Sequence, residues 1–204
     1  MNNYFVILAS GKGKRFHENM PKQYFQYKNK EIIDHSVEKS LESGLFKKII
    51  IVADSLKRLR KKKYFKQITV IKGGKQRSDS SLLALKYLKK FKPKNILIHD
   101  AARPNFSIKL LKNLIKNLRK YKTVVPILKA KDSIKYKIKK GLFNLDRKNI
   151  FLTQTPQAFR FNDLYKLAIL NKNKVTDEST LFIEKNYKIK FIKGENQNSK
   201  ITYL

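Results

Sequence analysis

The stretch Leu8-Ala-Ser-Gly-Lys-Gly-Lys-Arg15, closing at Pro21-Lys22-Gln23, follows an apolar run at residues 4–8 that reads as a buried strand. Gly11 and Gly13 let the backbone come close to a ligand, with N–H groups free to point at it. Lys12, Lys14, Arg15 and Lys22 supply positive charge where phosphates would lie. Such a loop at the carboxyl end of a strand can wrap a triphosphate. Spacing excludes two common phosphate loops. The dinucleotide fingerprint needs a glycine where Phe16 stands, and no Gly-Lys-Ser or Gly-Lys-Thr triplet is present for a Walker loop. A lone G-x-G also fits an ordinary tight βα turn, so the loop has to be read with the rest of the chain.

Short β-rich apolar runs alternate with amphipathic segments beyond it. Strands are expected at residues 4–8, 48–53, 68–71, 95–99 and 123–127, and helices near 32–43, 78–91 and 108–120. Continuous apolar strands with helices between them specify an α/β fold with a doubly wound, mostly parallel sheet. Ligands of such sheets sit beyond the carboxyl ends of the strands, where the loops after Leu8 and His99 both fall. The rhythm breaks after Pro126. Residues 129–155 alternate, as in Ser133-Ile-Lys-Tyr-Lys-Ile138, and turn at Lys140-Gly141, which reads as a protruding β-hairpin arm. An isolated hairpin buries too little to be stable, so the arm is expected to pack on something. Helices near 162–171 and 179–185, and strands at 188–192 and 200–203, complete one expected domain over residues 1–204.

The chain has 204 residues, long enough to bury a sizeable core, and no cysteine, so disulfides and thiolate metal sites are excluded. No apolar run approaches the roughly 20 residues of a membrane span. The start, Met-Asn-Asn-Tyr-Phe-Val, lacks the basic region and long apolar stretch of a signal peptide. A soluble, cytoplasmic protein without membrane partners is expected. The net charge of +33 invites a nucleic-acid reading. Yet the lysines are scattered, including residues 57–63, 109–122 and 135–140, and no recognition motif accompanies them. Abundant Lys, Ile and Asn fit AT-rich codon usage. No specific nucleic-acid partner is expected, only weak, salt-sensitive binding.

Further segments fit one pattern: Gly73-Gly-Lys-Gln-Arg-Ser-Asp-Ser80, His99-Asp-Ala-Ala-Arg-Pro104, Asp146-Arg147 with Thr155-Pro-Gln157, and Thr176-Asp-Glu178. With Pro21-Lys-Gln-Tyr24 they closely resemble the 2-C-methyl-D-erythritol 4-phosphate cytidylyltransferases of the non-mevalonate isoprenoid pathway. The resemblance runs in order over about residues 6–202. It implies a Rossmann-like nucleotidyltransferase, a homodimer in which each arm embraces the other subunit, and Mg²⁺ spanning the triphosphate. It implies the reaction of CTP with methylerythritol 4-phosphate to give the cytidine diphospho-sugar alcohol and pyrophosphate. A site rich in cations and poor in bases suits that chemistry, because a phosphate monoester is already a nucleophile at neutral pH.

By resemblance, Arg15 and Lys22 clamp the triphosphate and stabilise the transition state as the catalytic pair. Nucleotide contacts fall to Leu8, Ala9, Ser10, Gly11, Gly13, Gly74, Ser80, Asp100 and Ala101, with Asp100 also the candidate Mg²⁺ ligand. The alternative for Asp100 is an ion pair with nearby Arg103. Arg103, Ser133, Arg147, Thr155 and Lys200 match positions around the sugar phosphate, and Ser133 and Arg147 on the arm would reach the other subunit's pocket. Ser10 stands where alanine is usual, Ser133 where threonine is, and Lys75 where an acidic residue can sit. Ser78 and Asp79 look like helix caps. Asp132, Asp146, Asp177 and Glu178 are assigned supporting roles. His17, His35 and His99 lack metal-ligand spacing and are read as structural. Relatives usually continue past the final strand into another helix, and some are fused there to the next cyclodiphosphate synthase, so the chain reads as a truncated form or one lacking that helix. Two other functions remain open: a sibling cytidylyltransferase for ribitol 5-phosphate or a similar polyol phosphate, and a non-enzymatic basic nucleic-acid-binding protein.

Overall fold

The computed structural model describes residues 2–11, 20–139, 141–171 and 173–202. Its centre is β1 (Asn3–Ala9), whose residues are almost all buried. The chain returns through a small ribbon, β2 (Gln26–Tyr27) and β3 (Lys30–Glu31), into α1 (Ile32–Glu42), then β4 (Lys48–Ala53), the single turn α2 (Leu56–Leu59) and β5 (Thr69–Lys72). Next come α3 (Arg77–Leu88), β6 (Asn95–Asp100), α4 (Ile108–Asn117) and β7 (Thr123–Lys129). β1 pairs in parallel with β4 on one side and β6 on the other, and β4 with β5.

The alternation of side chains along these strands divides the core into two faces. Phe5, Ile7, Ile49, Ile51 and Leu97 point toward α1 and α4, where Ile33, Val37, Leu110, Leu111 and Leu114 meet them. Tyr4, Val6, Ile50, Val52, Ile96 and Ile98 point the other way, toward Ala84, Leu85 and Leu88 of α3. Each fully buried side chain of this size contributes about 1.5–3 kcal/mol. A strand buried on both faces must be apolar throughout, which is why these runs were legible as a doubly wound sheet.

The helices begin where their first-turn donors find partners. Asp34 accepts from the N–H of Glu31 at 3.2 Å ahead of α1, and Ser107 Oγ accepts from Leu110 N–H at 3.0 Å in α4. For α3 the cap is Gln76, with Asp79 accepting its N–H at 3.0 Å, so Asp79 caps from inside the first turn and Ser78 does not serve as the cap.

The second half adds β8 (Ile134–Ile138), β9 (Gly141–Leu145), β10 (Phe151–Thr153), β11 (Gln157–Arg160), α5 (Phe161–Leu170), α6 (Ser179–Ile183) and β12 (Lys190–Lys193). β11 wedges antiparallel between β6 and β7. The main sheet has eight strands, with β10 and β12 also on β7. β8 and β9 pair only with each other, in register Ile134↔Leu145; this hairpin is shorter than the arm expected over 129–155, because Lys129 still belongs to β7 and β10 pairs with β7 in the main sheet. Lys140 of its turn lies outside the described residues. The arm carries exposed apolar side chains, Tyr136 at 55 %, Leu142 at 64 % and Phe143 at 49 %.

The structure corrects the expectation at three further places. β11 was not expected, because a short segment directly after Pro156, containing Gln157 and Arg160, carries no strand pattern. The helix expected over 78–91 ends at Leu88 and tightens into a 3-10 turn, Lys89–Phe91. The final strand expected at 200–203 is not formed over its described residues 200–202; Ile201 N–H donates to the Ala102 carbonyl at 2.9 Å instead. No helix among the described residues is long and apolar enough to cross a membrane.

Candidate active site

A cavity of about 760 Å³ opens beyond the carboxyl ends of β1, β4, β5 and β6. Leu8 to Gly11 form one wall, and residues 72–77 approach from the other side and lead into α3. Two glycines permit that approach. A Cβ on Gly73 would lie 2.3 Å from Ser10 Cβ, and one on Gly74 would lie 2.4 Å from Asp79 Cβ. Ser80, fully buried below, ties these pieces together: its hydroxyl pairs with Ser10 Oγ at 2.7 Å, accepts from Gly74 N–H at 3.0 Å and donates to the Gln76 carbonyl at 2.9 Å. The first-turn N–H groups of α3 begin at this wall, with the positive end of the helix dipole.

Lys22 lines the cavity at the start of a 3-10 turn, Lys22–Tyr24. The two residues after it are anchors. Gln23 is 3 % exposed and donates to the Ala9 carbonyl at 2.6 Å; buried Tyr24 donates to Asp54 Oδ1 at 3.2 Å. Lys22 is thereby placed by its neighbours' burial. Arg15 and Gly13, expected in the same loop, lie outside the described residues, as do Lys12, Lys14 and His17.

Opposite stands a chain of charges. Arg77, the first residue of α3, donates through Nε to Asp100 Oδ1 at 2.9 Å and through Nη1 and Nη2 to the two Glu178 oxygens at 2.8 and 3.0 Å. Lys200 Nζ donates to Asp100 Oδ2 at 2.8 Å. Burial opposes the charge on Asp100, but Arg77 and Lys200 outweigh it and hold the carboxyl well below the usual range. Burial likewise works against the charged form of Arg77, yet Glu178 and Asp100 raise its pKa, so it stays a cation.

Behind Asp100 runs a relay of neutral groups. Asp100 N–H donates to Thr155 Oγ1 at 3.0 Å, and Thr155 Oγ1 lies 3.1 Å from His99 Nδ1. His99 Nε2 lies 3.1 Å from the Arg103 carbonyl, which can only accept. Nε2 therefore carries the proton, Nδ1 is bare, and the Thr155 hydroxyl donates to it. Burial pushes the His99 pKa down to about 3, so the ring is neutral at physiological pH. This agrees with a structural role.

The expected residues thus fall into groups. Leu8, Ala9, Ser10, Gly11, Lys22, Gly74, Asp100, Ala101 and Lys200 line the cavity. Ser80 lies beneath it and Thr155, 4 % exposed, behind Asp100. Asp100 does not pair with Arg103, whose guanidinium bonds the carbonyls of Asn198 at 2.9 Å and Thr153 at 3.4 Å, bracing those segments. Ser133 and Arg147 stand apart near the base of the arm, outside the cavity lining; Arg147 donates to the Lys131 carbonyl at 2.9 Å. Sequence reading assigned no task to Arg77, Gln23 or Asp54. The arginine of G-G-x-x-R and the glutamine of P-K-Q were visible signals; a lone aspartate at Asp54 carried none.

A family profile described as IspD, 2-C-methyl-D-erythritol 4-phosphate cytidylyltransferase, matches residues 4–204. The chain is 45 % identical to a bifunctional enzyme IspD/IspF of Pelagibacter ubique, across 99 % of this chain and 55 % of that protein. It is 37 % identical to a 2-C-methyl-D-erythritol 4-phosphate cytidylyltransferase of Thermosipho melanesiensis, across 98 % of this chain and 92 % of that one. Its fold is similar to the bifunctional IspDF of Campylobacter jejuni, with a TM-score of 0.87 at 28 % identity, covering 100 % of this chain and 52 % of that one. The chain spans about half the length of the two bifunctional proteins and most of the length of the Thermosipho one.

Proposed function

The chain belongs to the 2-C-methyl-D-erythritol 4-phosphate cytidylyltransferase family, and from that premise we propose that it transfers the cytidylyl group of CTP to 2-C-methyl-D-erythritol 4-phosphate. The products are 4-diphosphocytidyl-2-C-methyl-D-erythritol and pyrophosphate. The observation that carries the reading is the cavity itself: Lys22 on one wall, the Arg77–Asp100–Lys200 chain opposite, and Gly73 and Gly74 at close approach.

In this reading a phosphate oxygen of the acceptor attacks the α-phosphorus of CTP, and the bond to the bridging oxygen of pyrophosphate breaks. No proton has to be removed, so the residues supply alignment and positive charge. Lys22 offers a point charge to the α-phosphate, and Arg15 a forked contact to the triphosphate. Backbone groups of residues 8–10 and Gly74 read the base, with Ser80 holding Ser10 and Gly74 in place. Lys200 neutralises the acceptor phosphate.

Asp100 fits a hard divalent cation. It is ionised, faces the cavity, and each of its oxygens meets a single cation, leaving lone pairs available beside substrate phosphates and water. Mg²⁺ held there would screen the triphosphate charge from the incoming anion.

The exposed apolar side chains of the arm support a homodimer, since an isolated two-stranded ribbon does not hold such residues in water. Ser133 and Arg147 would then act in the partner subunit's cavity.

Pyrophosphate release from CTP and Mg²⁺ tests the reading, with methylerythritol 4-phosphate against ribitol 5-phosphate and with Arg15→Ala and Lys22→Ala as controls. Release with the first acceptor only, lost in both variants, is expected. Release with ribitol phosphate alone would move the substrate, and none from either would refute the reaction.

A further inference from the structure

Glu178, in the Thr176-Asp-Glu178 motif, has no task in the reaction as written. Its side chain is 3 % exposed, and a carboxylate so buried is strongly unfavourable unless a cation meets it. Arg77 does so with both terminal nitrogens, at 2.8 and 3.0 Å. The guanidinium is planar and rigid, so fixing its two ends also fixes the direction of Nε–H. That third donor reaches Asp100 Oδ1 at 2.9 Å. Glu178 therefore determines where the Asp100 carboxylate sits, while Thr155 holds its backbone.

The second consequence is charge. Arg77 and Lys200 together would leave Asp100 inside a net positive pair; Glu178 brings this set to neutrality. Lys200, with 37 % of its side chain exposed, is free to swing toward a phosphate, whereas Glu178 and Arg77 are locked. Once it swings, Arg77, Glu178 and Asp100 carry one net negative charge where a divalent cation would arrive. We propose that Glu178 is a positioning residue that, through Arg77, keeps Asp100 aimed and the set of charges around it net negative for the divalent cation. This rests on the reading of Asp100 as that cation's ligand.

The test is Mn²⁺ binding followed by electron paramagnetic resonance, titrated into the full chain with CTP and no acceptor, so that no turnover is needed. Glu178→Gln is expected to weaken Mn²⁺ binding by about 10–100-fold, the usual loss when a group behind a metal ligand is removed. Glu178→Asp, which keeps the charge on a side chain one methylene shorter, should fall between wild type and Glu178→Gln. The pair Arg77→Gln with Glu178→Gln should fall between wild type and Glu178→Gln, because it removes the uncompensated cation but not the loss of aim. Should Glu178→Gln not fold, the paired variant carries the test: binding about threefold to tenfold weaker than wild type is expected, and binding equal to wild type overturns the proposal. Unchanged binding in folded Glu178→Gln also overturns it, and leaves Asp100 as ligand. A wild-type chain that takes up no Mn²⁺ beyond that held by CTP overturns the Asp100 reading, and this inference with it.

Discussion

Acidification from pH 7 to pH 5 should destabilise the chain through His99 by about 2 kcal/mol. The ordinary imidazole pKa is 6.5; burial first, then the charges of Arg103 and Lys39, push it down to about 3, against an opposing pull from Asp100. The ring is fully buried and already committed, with Nε2 donating to Arg103 and Nδ1 accepting from Thr155, so a second proton would displace the Thr155 hydrogen bond as well as place a charge in the core. Because the folded value lies below the unfolded one, the unfolded chain takes up the proton first. The stabilisation is complete above about pH 6.5 and is lost as pH falls from there toward 3. At pH 5 the unfolded state has gained about 1.5 units of driving force at 1.36 kcal/mol each, which gives the 2 kcal/mol. For a chain of this length that is a fall in Tm of about 4–8 °C. Urea unfolding followed by circular dichroism at pH 7, 6 and 5 would compare wild type with His99→Gln, whose amide can still donate to Arg103 but does not titrate. Self-repulsion at a net charge of +33 and the other histidines act on both chains, so they cancel in the difference. If the two pH profiles run parallel within about 0.5 kcal/mol, the linkage argument is wrong.

Gly73→Ala should raise the Kd for CTP at least about tenfold by isothermal titration and cost about 1–3 kcal/mol, since its Cβ would lie 2.3 Å from Ser10 Cβ; Ser10→Gly in the same chain should recover part of both losses. Arg77→Met should cost about 3–5 kcal/mol in urea unfolding by stranding Glu178, and adding Glu178→Leu should restore most of it. Phe143→Asp, at an exposed arm position, should turn the proposed homodimer into a monomer in sedimentation velocity while leaving the far-ultraviolet circular dichroism unchanged.

The central sheet was legible in the sequence because its strands are buried on both faces and therefore apolar along their length. The expected strand at 48–53 coincides with β4, and β1 and β6 extend the expected runs by one or two residues. The arm was legible for the opposite reason: one alternating segment, with a glycine at its turn, cannot continue a buried sheet. β11 was not, because its place between β6 and β7 comes from neighbours on both edges and from no pattern of its own.

The same division holds at the cavity. The loop after β1 pointed to a phosphate site through its glycines and cations, and the paired glycines at 73–74 and the His99-Asp-Ala-Ala-Arg segment did so through the resemblance; residues of all three line one cavity. Which charge meets which was beyond reach. Arg103, three residues from Asp100, was the alternative partner that the sequence offered, yet Arg77 and Lys200 hold that carboxylate, and Glu178 closes the chain across 101 residues of sequence. Local composition dictates which segments bury and where the backbone can turn, because those depend on near neighbours. Pairing of ionic groups depends on distance and burial after α3, α6 and the segment carrying Lys200 have come together at one edge of the sheet, and only folding sets those distances.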